Sequence, residues 1–171
     1  MKIQIIGYSG SGKSTLARRL ANHYNLPVLF LDTVKFYGDW QERTNEEQNE
    51  IVNKFLNDNK DGWVIDGNYS NIASKRFEET DKIFFLNYNR LYCYFQAFKR
   101  YRINKNKKRE NFPCIEKFDF EFQLWLIYQG RTRKRRKKHL DNLNKCKGEK
   151  LVFKSRKGLL KYLKDNNIVI D

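Results

Sequence analysis

The sequence predicts a three-layer α/β fold on a parallel sheet, and three observations carry that prediction. Short apolar runs alternate along the chain with stretches of helical periodicity. The runs themselves scarcely alternate between apolar and polar residues, as expected of strands covered on both faces. A glycine-rich turn joins the first run to the first helix. With 171 residues, 40% of them hydrophobic, the chain is expected to form one domain over 1–171 with a core of ordinary size.

Taken in order, Ile3, Ile5 and Ile6 form a first strand over 3–6 that runs into Gly7. From Ser14 onward Leu16, Ala17, Leu20, Ala21 and Tyr24 have helical spacing. Pro27 breaks the chain before a strand over 28–31 that ends at Asp32; a third strand, 63–65, ends at Asp66; a fourth covers 82–86. Helices are predicted over 45–57, with Ile51, Val52, Phe55 and Leu56 on one face, and over 91–103, with Leu91, Phe95 and Phe98 as its apolar positions. After a polar, basic stretch over 104–117, Phe118, Phe122 and Trp125 start one long helix reaching about Leu143. A strand over 151–153 and a helix over 158–164 close the domain.

Charge is distributed unevenly. Residues 99–157 hold 21 Lys and Arg against 6 Asp and Glu, so the whole formal net charge of +15 lies in one contiguous third of the chain. Such a surface attracts phosphates, nucleic acid or an acidic partner. The run from Arg131 to Lys138 has seven cations in eight positions, which is a solvated helix face, a closing lid or a nucleic-acid contact. Three scattered cysteines, Cys93, Cys114 and Cys146, lack disulfide-framework or zinc spacing and read as reduced thiols. No apolar run reaches the length of a membrane span or a signal-peptide core, so a cytoplasmic protein is expected.

The segment Gly7-Tyr8-Ser9-Gly10-Ser11-Gly12-Lys13-Ser14 fits GxxxxGK[ST] at every defined position, with Thr15 following, and lies between a strand and a helix. Its glycines let successive N–H groups converge on one anion, and the helix that begins beside Lys13 adds its positive end. Gly7, Ser9, Gly10, Ser11, Gly12, Lys13, Ser14 and Thr15 are therefore the expected ATP-binding residues. Lys13 is expected to bridge the β- and γ-phosphates, and the Ser14 hydroxyl to ligate Mg²⁺.

Ligands of open α/β sheets bind at the carboxyl ends of the strands, where Asp32 and Asp66 fall. Asp66 is placed to organise the metal together with Ser14, and Asp32 to orient or deprotonate an acceptor hydroxyl. Each aspartate also has a bland reading as the cap of a loop or helix.

With those motifs in view, the chain resembles the small P-loop kinases related to adenylate kinase, and more narrowly the DNA topology modulation (FlaR-like) family. The resemblance rests on Gly7 to Thr15, Leu31-Asp32, Trp63-Val64-Ile65-Asp66-Gly67-Asn68-Tyr69, the strand Ile83-Phe84-Phe85-Leu86 followed by Arg90 and Arg100, and Cys114-Ile115-Glu116-Lys117-Phe118-Asp119 with Phe122 and Trp125. It implies a P-loop NTPase fold with five parallel strands in the order 2-3-1-4-5, an acceptor-binding insert over about 33–60 and a basic helical lid over about 100–140. It also implies that the lid arginines Arg100, Arg131 and Arg133 carry γ-phosphate charge in the transition state. Trp40 lies in the presumed acceptor insert. Adenylate kinases follow the third-strand Asp-Gly with an aromatic, a proline and a phosphate-binding arginine; this chain continues Asn68-Tyr69-Ser70, and Arg76 is the candidate replacement.

The expected function is transfer of the γ-phosphate of ATP, with Mg²⁺, to a small acceptor bearing a hydroxyl or phosphate. Lys13, Asp32, Arg100, Arg131 and Arg133 form the catalytic set; Asp32, Trp40 and Arg76 contact the substrate; Ser14 and Asp66 hold the metal. The alternative is a nucleotide-gated regulator whose basic third binds nucleic acid and alters DNA topology.

Overall fold

The computed structural model describes residues 1–169, so the last two residues of the expected 1–171 domain lie outside the described part. Its centre is a parallel sheet of β1 (Lys2–Gly7), β2 (Val28–Phe30), β5 (Trp63–Asp66), β6 (Lys82–Leu86) and β7 (Glu149–Phe153), paired in the order β2-β5-β1-β6-β7. Counting only these five strands, that is the expected order 2-3-1-4-5. The extra labels belong to a two-stranded antiparallel hairpin, β3 (Phe36–Gly38) and β4 (Gln41–Glu42), which the sequence reading did not anticipate.

Both faces of the sheet are covered. Val64 packs with Leu16, Ala17 and Leu20 of α1 (Lys13–Tyr24), whereas its neighbours Trp63 and Ile65 pack with Val52 of α3 (Asn45–Asp58) and with Leu31 and Val34 of α2 (Leu31–Lys35). Strands buried in this way must be apolar at consecutive positions, which is why the sequence runs lack alternation. Side-chain caps set the helix starts: Thr44 and Glu47 form a capping box on α3, and Asn89 caps α4 (Arg90–Ile103).

Several sequence expectations need correction. Strand β2 stops at Phe30, and Leu31 and Asp32 open the short helix α2, where the Thr33 hydroxyl donates to the Phe30 carbonyl at 2.7 Å. The long helix expected from Phe118 to Leu143 is two helices, α5 (Phe120–Ile127) and α6 (Arg133–Lys145), separated by a 3-10 turn over Gln129–Arg131. A Cβ on Gly130 would lie 2.8 Å from the Trp125 carbonyl oxygen, and Thr132 caps the start of α6. Helix α4 is also oriented differently from its apolar pattern: Cys93 and Ala97 are its buried residues, while Leu91, Phe95 and Phe98 are exposed. Small side chains are required on the inner face because the phosphate-loop backbone comes against it; a Cβ on Gly10 would meet the Cys93 carbonyl oxygen at 2.1 Å. Helix α7 (Arg156–Asp165) closes the fold over β7, and no described helix is long and apolar enough to cross a membrane.

Residues 104–119 contain no helix or strand beyond a single bridge between Arg109 and Phe112. They pack on the hairpin: Phe36, Phe112 and Cys114 form one buried cluster, and the Trp40 ring meets Phe112 edge-on at 5.4 Å. The two segments expected to serve as acceptor insert and lid are thus in direct contact.

Candidate functional site

The loop between β1 and α1 wraps around its own backbone. Ser11 donates from both its N–H (3.2 Å) and its hydroxyl (2.7 Å) to the Tyr8 carbonyl, and Lys13 Nζ donates to the same oxygen at 3.2 Å. Gly10 and Gly12 adopt positive φ values of 78° and 90°, where a side chain is strained. Asn68, just past β5, holds the loop entrance: its Nδ2 donates to the Gly7 carbonyl at 2.7 Å and its Oδ1 accepts from the Gly7 N–H at 2.8 Å. This clamp was not singled out from sequence. Its only signal was its place directly after Asp66-Gly67. Ser9 is half-buried beside the loop, and Thr15 is exposed on the first turn of α1.

Ser14 and Asp66 come together as expected. The Ser14 hydroxyl donates to Asp66 Oδ2 at 2.6 Å, while Oδ1 is buried with no hydrogen-bond partner. Burial pushes the Asp66 carboxyl up to about 6, against the opposing pull of Lys13 and the Ser14 hydrogen bond. An orphaned carboxylate oxygen beside a hydroxyl, close to a lysine and a glycine-rich loop, suits a hard cation that takes oxygen donors.

The basic helix α6 and the 3-10 turn before it close one side of the loop. Arg131 lies 3.6 Å from the centroid of the Tyr8 ring and donates from Nη1 to the Tyr88 carbonyl at 2.7 Å; its Nη2 is buried without a partner. His139 of α6 packs edge-on against Tyr8 at 5.0 Å and in a tilted arrangement against Phe85 at 5.3 Å. Burial first, then the nearby cations Lys13 and Arg131, draws the imidazole down to about 4, so it is neutral near pH 7. Asn142, one turn further along, donates to the Asn68 carbonyl at 3.3 Å. Arg133 is exposed at the first position of α6.

Asp32 sits in the first turn of α2 and accepts from the Tyr69 hydroxyl at 2.7 Å. Burial, with the adjoining Asp32 carboxylate, holds the Tyr69 hydroxyl protonated well above its ordinary range. Arg18 of α1, whose charge also acts on Asp66, bonds Glu110 at 2.9 Å and Asn111 at 3.3 Å.

Two of the expected arginines are engaged away from the phosphate loop, and Trp40 bridges two segments. Arg76 is fully buried, and its guanidinium is committed to Gln4 Oε1 and the carbonyls of Tyr69, Ile72 and Ala73. It cannot also reach an acceptor phosphate, so the role expected for it is withdrawn. Arg100 pairs with Glu116 rather than with the phosphate loop. Trp40 donates from Nε1 to the Ile115 carbonyl at 3.1 Å, joining the hairpin to the basic segment. The three cysteines are free and buried, and among the described residues no group of His, Cys, Asp and Glu has the makings of a metal-binding cluster.

A family model described as "ATPase family associated with various cellular activities (AAA)" matches residues 3–83, which span β1, the loop, α1 and β5. The fold is that of a P-loop NTPase. The P-loop NTPase fold here is similar along its whole length to those of small kinases. A putative kinase from Chloroflexus aurantiacus has a TM-score of 0.57 at 11% identity, covering 96% of each chain. A deoxyadenosine kinase from M. mycoides with bound dATP has a TM-score of 0.54 at 14% identity, covering 98% of this chain and 99% of that one. A shikimate kinase from Bacteroides thetaiotaomicron has a TM-score of 0.54 at 18% identity, covering 99% of each chain. At these identities the likeness shows the fold alone. No curated protein matches the chain.

Proposed function

We propose that this protein is a phosphotransferase that moves the γ-phosphate of ATP to a hydroxyl on a small acceptor, with Mg²⁺ as its metal. The observation that carries the reading is the Ser14–Asp66 pair, 2.6 Å apart at the P-loop, with one buried carboxylate oxygen left unpartnered. The resemblance to FlaR-like relatives of adenylate kinase supports the same reading.

Ser14 and Asp66 would hold Mg²⁺, which would supply neutralisation of phosphate charge. Lys13 now spends its ammonium on the Tyr8 carbonyl. That contact lies within the loop, so a phosphate oxygen can replace it without moving the backbone. Arg131 is held by the Tyr8 ring and the Tyr88 carbonyl with one nitrogen unpaired, poised to carry phosphoryl charge. Asp32, oriented by the Tyr69 hydroxyl, is the group to accept the proton of the attacking hydroxyl. Arg133, exposed on α6, is left as a peripheral cation of the lid.

The exposed cations of α6 suit a solvated face as well as a nucleic-acid contact, so phosphoryl transfer is the reading put forward. Its test is incubation with γ-labelled ATP and Mg²⁺ against nucleosides, nucleoside monophosphates, sugars and hydroxy acids. Label should pass to one class, vanish in Lys13→Ala, and fall in Arg131→Ala with ATP binding largely kept. ATP binding without transfer to any class would refute the reading.

A further inference from the structure

Two guanidiniums share one buried carboxylate in the segment after α4. Arg100 Nη2 donates to Glu116 Oε1, and Arg109 Nη2 lies 3.7 Å from Glu116 Oε2, outside hydrogen-bond range. The Glu116 side chain is 5% exposed and that of Arg109 is 18% exposed. Glu116 Oε2 and the Nε of both arginines are buried with no hydrogen-bond partner. Arg109 Nη1 and Arg18 Nη2 meanwhile converge on one oxygen, Asn111 Oδ1, at 3.5 and 3.3 Å. Arg18's own carboxylate, Glu110, is an exposed surface partner.

The cluster therefore sets two half-buried guanidiniums against one buried carboxylate, and that anion is under-bonded. Burial of charge in a folded protein is costly unless the pairing and hydrogen bonding are good, and native structures leave few buried polar atoms unsatisfied. The cluster reaches toward Asp32 through Arg18, which shares Asn111 with Arg109 and lies 5.1 Å from the centroid of the Phe30 ring, two residues before Asp32. The Asp32 carboxylate is among the charges that act on Arg109, together with Arg100, Glu116 and Arg18. Phe36, Phe112 and Trp40 supply an apolar wall on the same side.

We propose that Arg100 and Arg109 recognise an oxyanion of the acceptor, a carboxylate or a phosphate ester, and that Glu116 occupies their site as an internal substitute while it is empty. Paired arginine forks match such oxyanions in geometry and charge. A carboxylate from the chain holds the two cations apart from each other until the acceptor displaces it. The segment that carries Glu116 has no helix and no ladder beyond the Arg109–Phe112 bridge, so moving Glu116 aside strains the Trp40 contacts to Cys114 and Ile115 rather than an element of secondary structure. The word acceptor rests on the phosphotransferase reading; the anion site does not. The acceptor so defined has a hydroxyl for Asp32 and an anionic group for Arg109 at its other end.

The anion site can be tested apart from catalysis with inorganic phosphate, titrated at constant ionic strength into Lys13→Ala protein, in which the P-loop lysine is gone. Trp40 fluorescence is the readout, since Trp40 is bonded to Ile115, next to Glu116. Glu116→Gln in that background should tighten phosphate binding about tenfold, and adding Arg109→Gln should abolish it. Glu116→Asp, which shortens the substitute while keeping its charge, should give a smaller gain if the glutamine variant does not fold. A structural staple predicts the reverse: no gain from either substitution, or weaker binding, and either result overturns the proposal. In the wild-type protein, Arg109→Gln should raise KM for an anionic acceptor about 100-fold with KM for ATP unchanged. Failure of the phosphotransferase reading would register separately, as Mg·ATP binding with no label passed to any acceptor while phosphate still binds at Arg109.

Discussion

Replacing Asp66 by asparagine should make the ligand-free protein more stable while destroying its activity, because a group kept for the metal is a burden without it. Burial moves this carboxyl from its ordinary 3.8 to about 6. At about 1.4 kcal/mol per tenfold, ionising it in the fold costs about 3 kcal/mol relative to the unfolded chain. Its pKa is higher in the folded state, so the stabilising contribution is complete below the unfolded value and is lost as pH rises through about 6. Between about pH 4.5 and 7 the wild-type protein should therefore lose about 2 kcal/mol relative to Asp66→Asn. The asparagine keeps an oxygen for the Ser14 hydroxyl, but its NH₂ replaces an oxygen that has no partner. That costs about 1 kcal/mol, independent of pH. Net stabilisation near pH 7 is then about 1–2 kcal/mol, or about 2–8 °C in Tm for a domain of this size. Urea unfolding of both proteins across that pH range is the assay. A stability difference that stays flat with pH would refute the account of Asp66 as a buried, strained carboxyl. Turnover that survives the substitution would refute its role at the metal.

Three further outcomes are expected. Gly10→Ala puts a Cβ 2.1 Å from the Cys93 carbonyl oxygen at a φ of 78°, so it should lower stability by about 3 kcal/mol or more and abolish nucleotide binding. Thermal melts and a fluorescent-nucleotide titration check both effects. Asn68→Ala removes both hydrogen bonds to the Gly7 backbone; nucleotide affinity should fall about tenfold, and Asn68→Asp should restore only part of it because a carboxylate cannot donate to the Gly7 carbonyl. Arg76→Leu leaves Gln4 and three carbonyls without their buried partner and should cost about 3–5 kcal/mol, read by urea unfolding. A variant that unfolds normally yet loses acceptor binding would return Arg76 to the site.

The sheet, its order and the phosphate loop were legible in the sequence because local chemistry dictates them. Unalternating runs such as Ile83-Phe84-Phe85-Leu86 make sense only between two covered faces, and GxxxxGKS places glycines where N–H groups must converge. That Ser14 and Asp66 would meet was legible for the same reason, since one lies in the first turn of α1 and the other ends β5, both at the carboxyl edge of the sheet. Helix orientation was less legible. Leu91, Phe95 and Phe98 form an apolar stripe that periodicity assigns to the core, yet the P-loop backbone at Gly10 leaves room only for Cys93 and Ala97. Side-chain commitments across long separations were not legible at all. Arg76, Arg100 and Arg131 are the same residue type, and only the fold buries the first against Gln4, pairs the second with Glu116 and stacks the third on Tyr8. A guanidinium satisfies whichever acceptors tertiary packing brings within reach, so its partner is a property of the assembled structure, whereas strand burial and loop geometry are properties of neighbours in the chain.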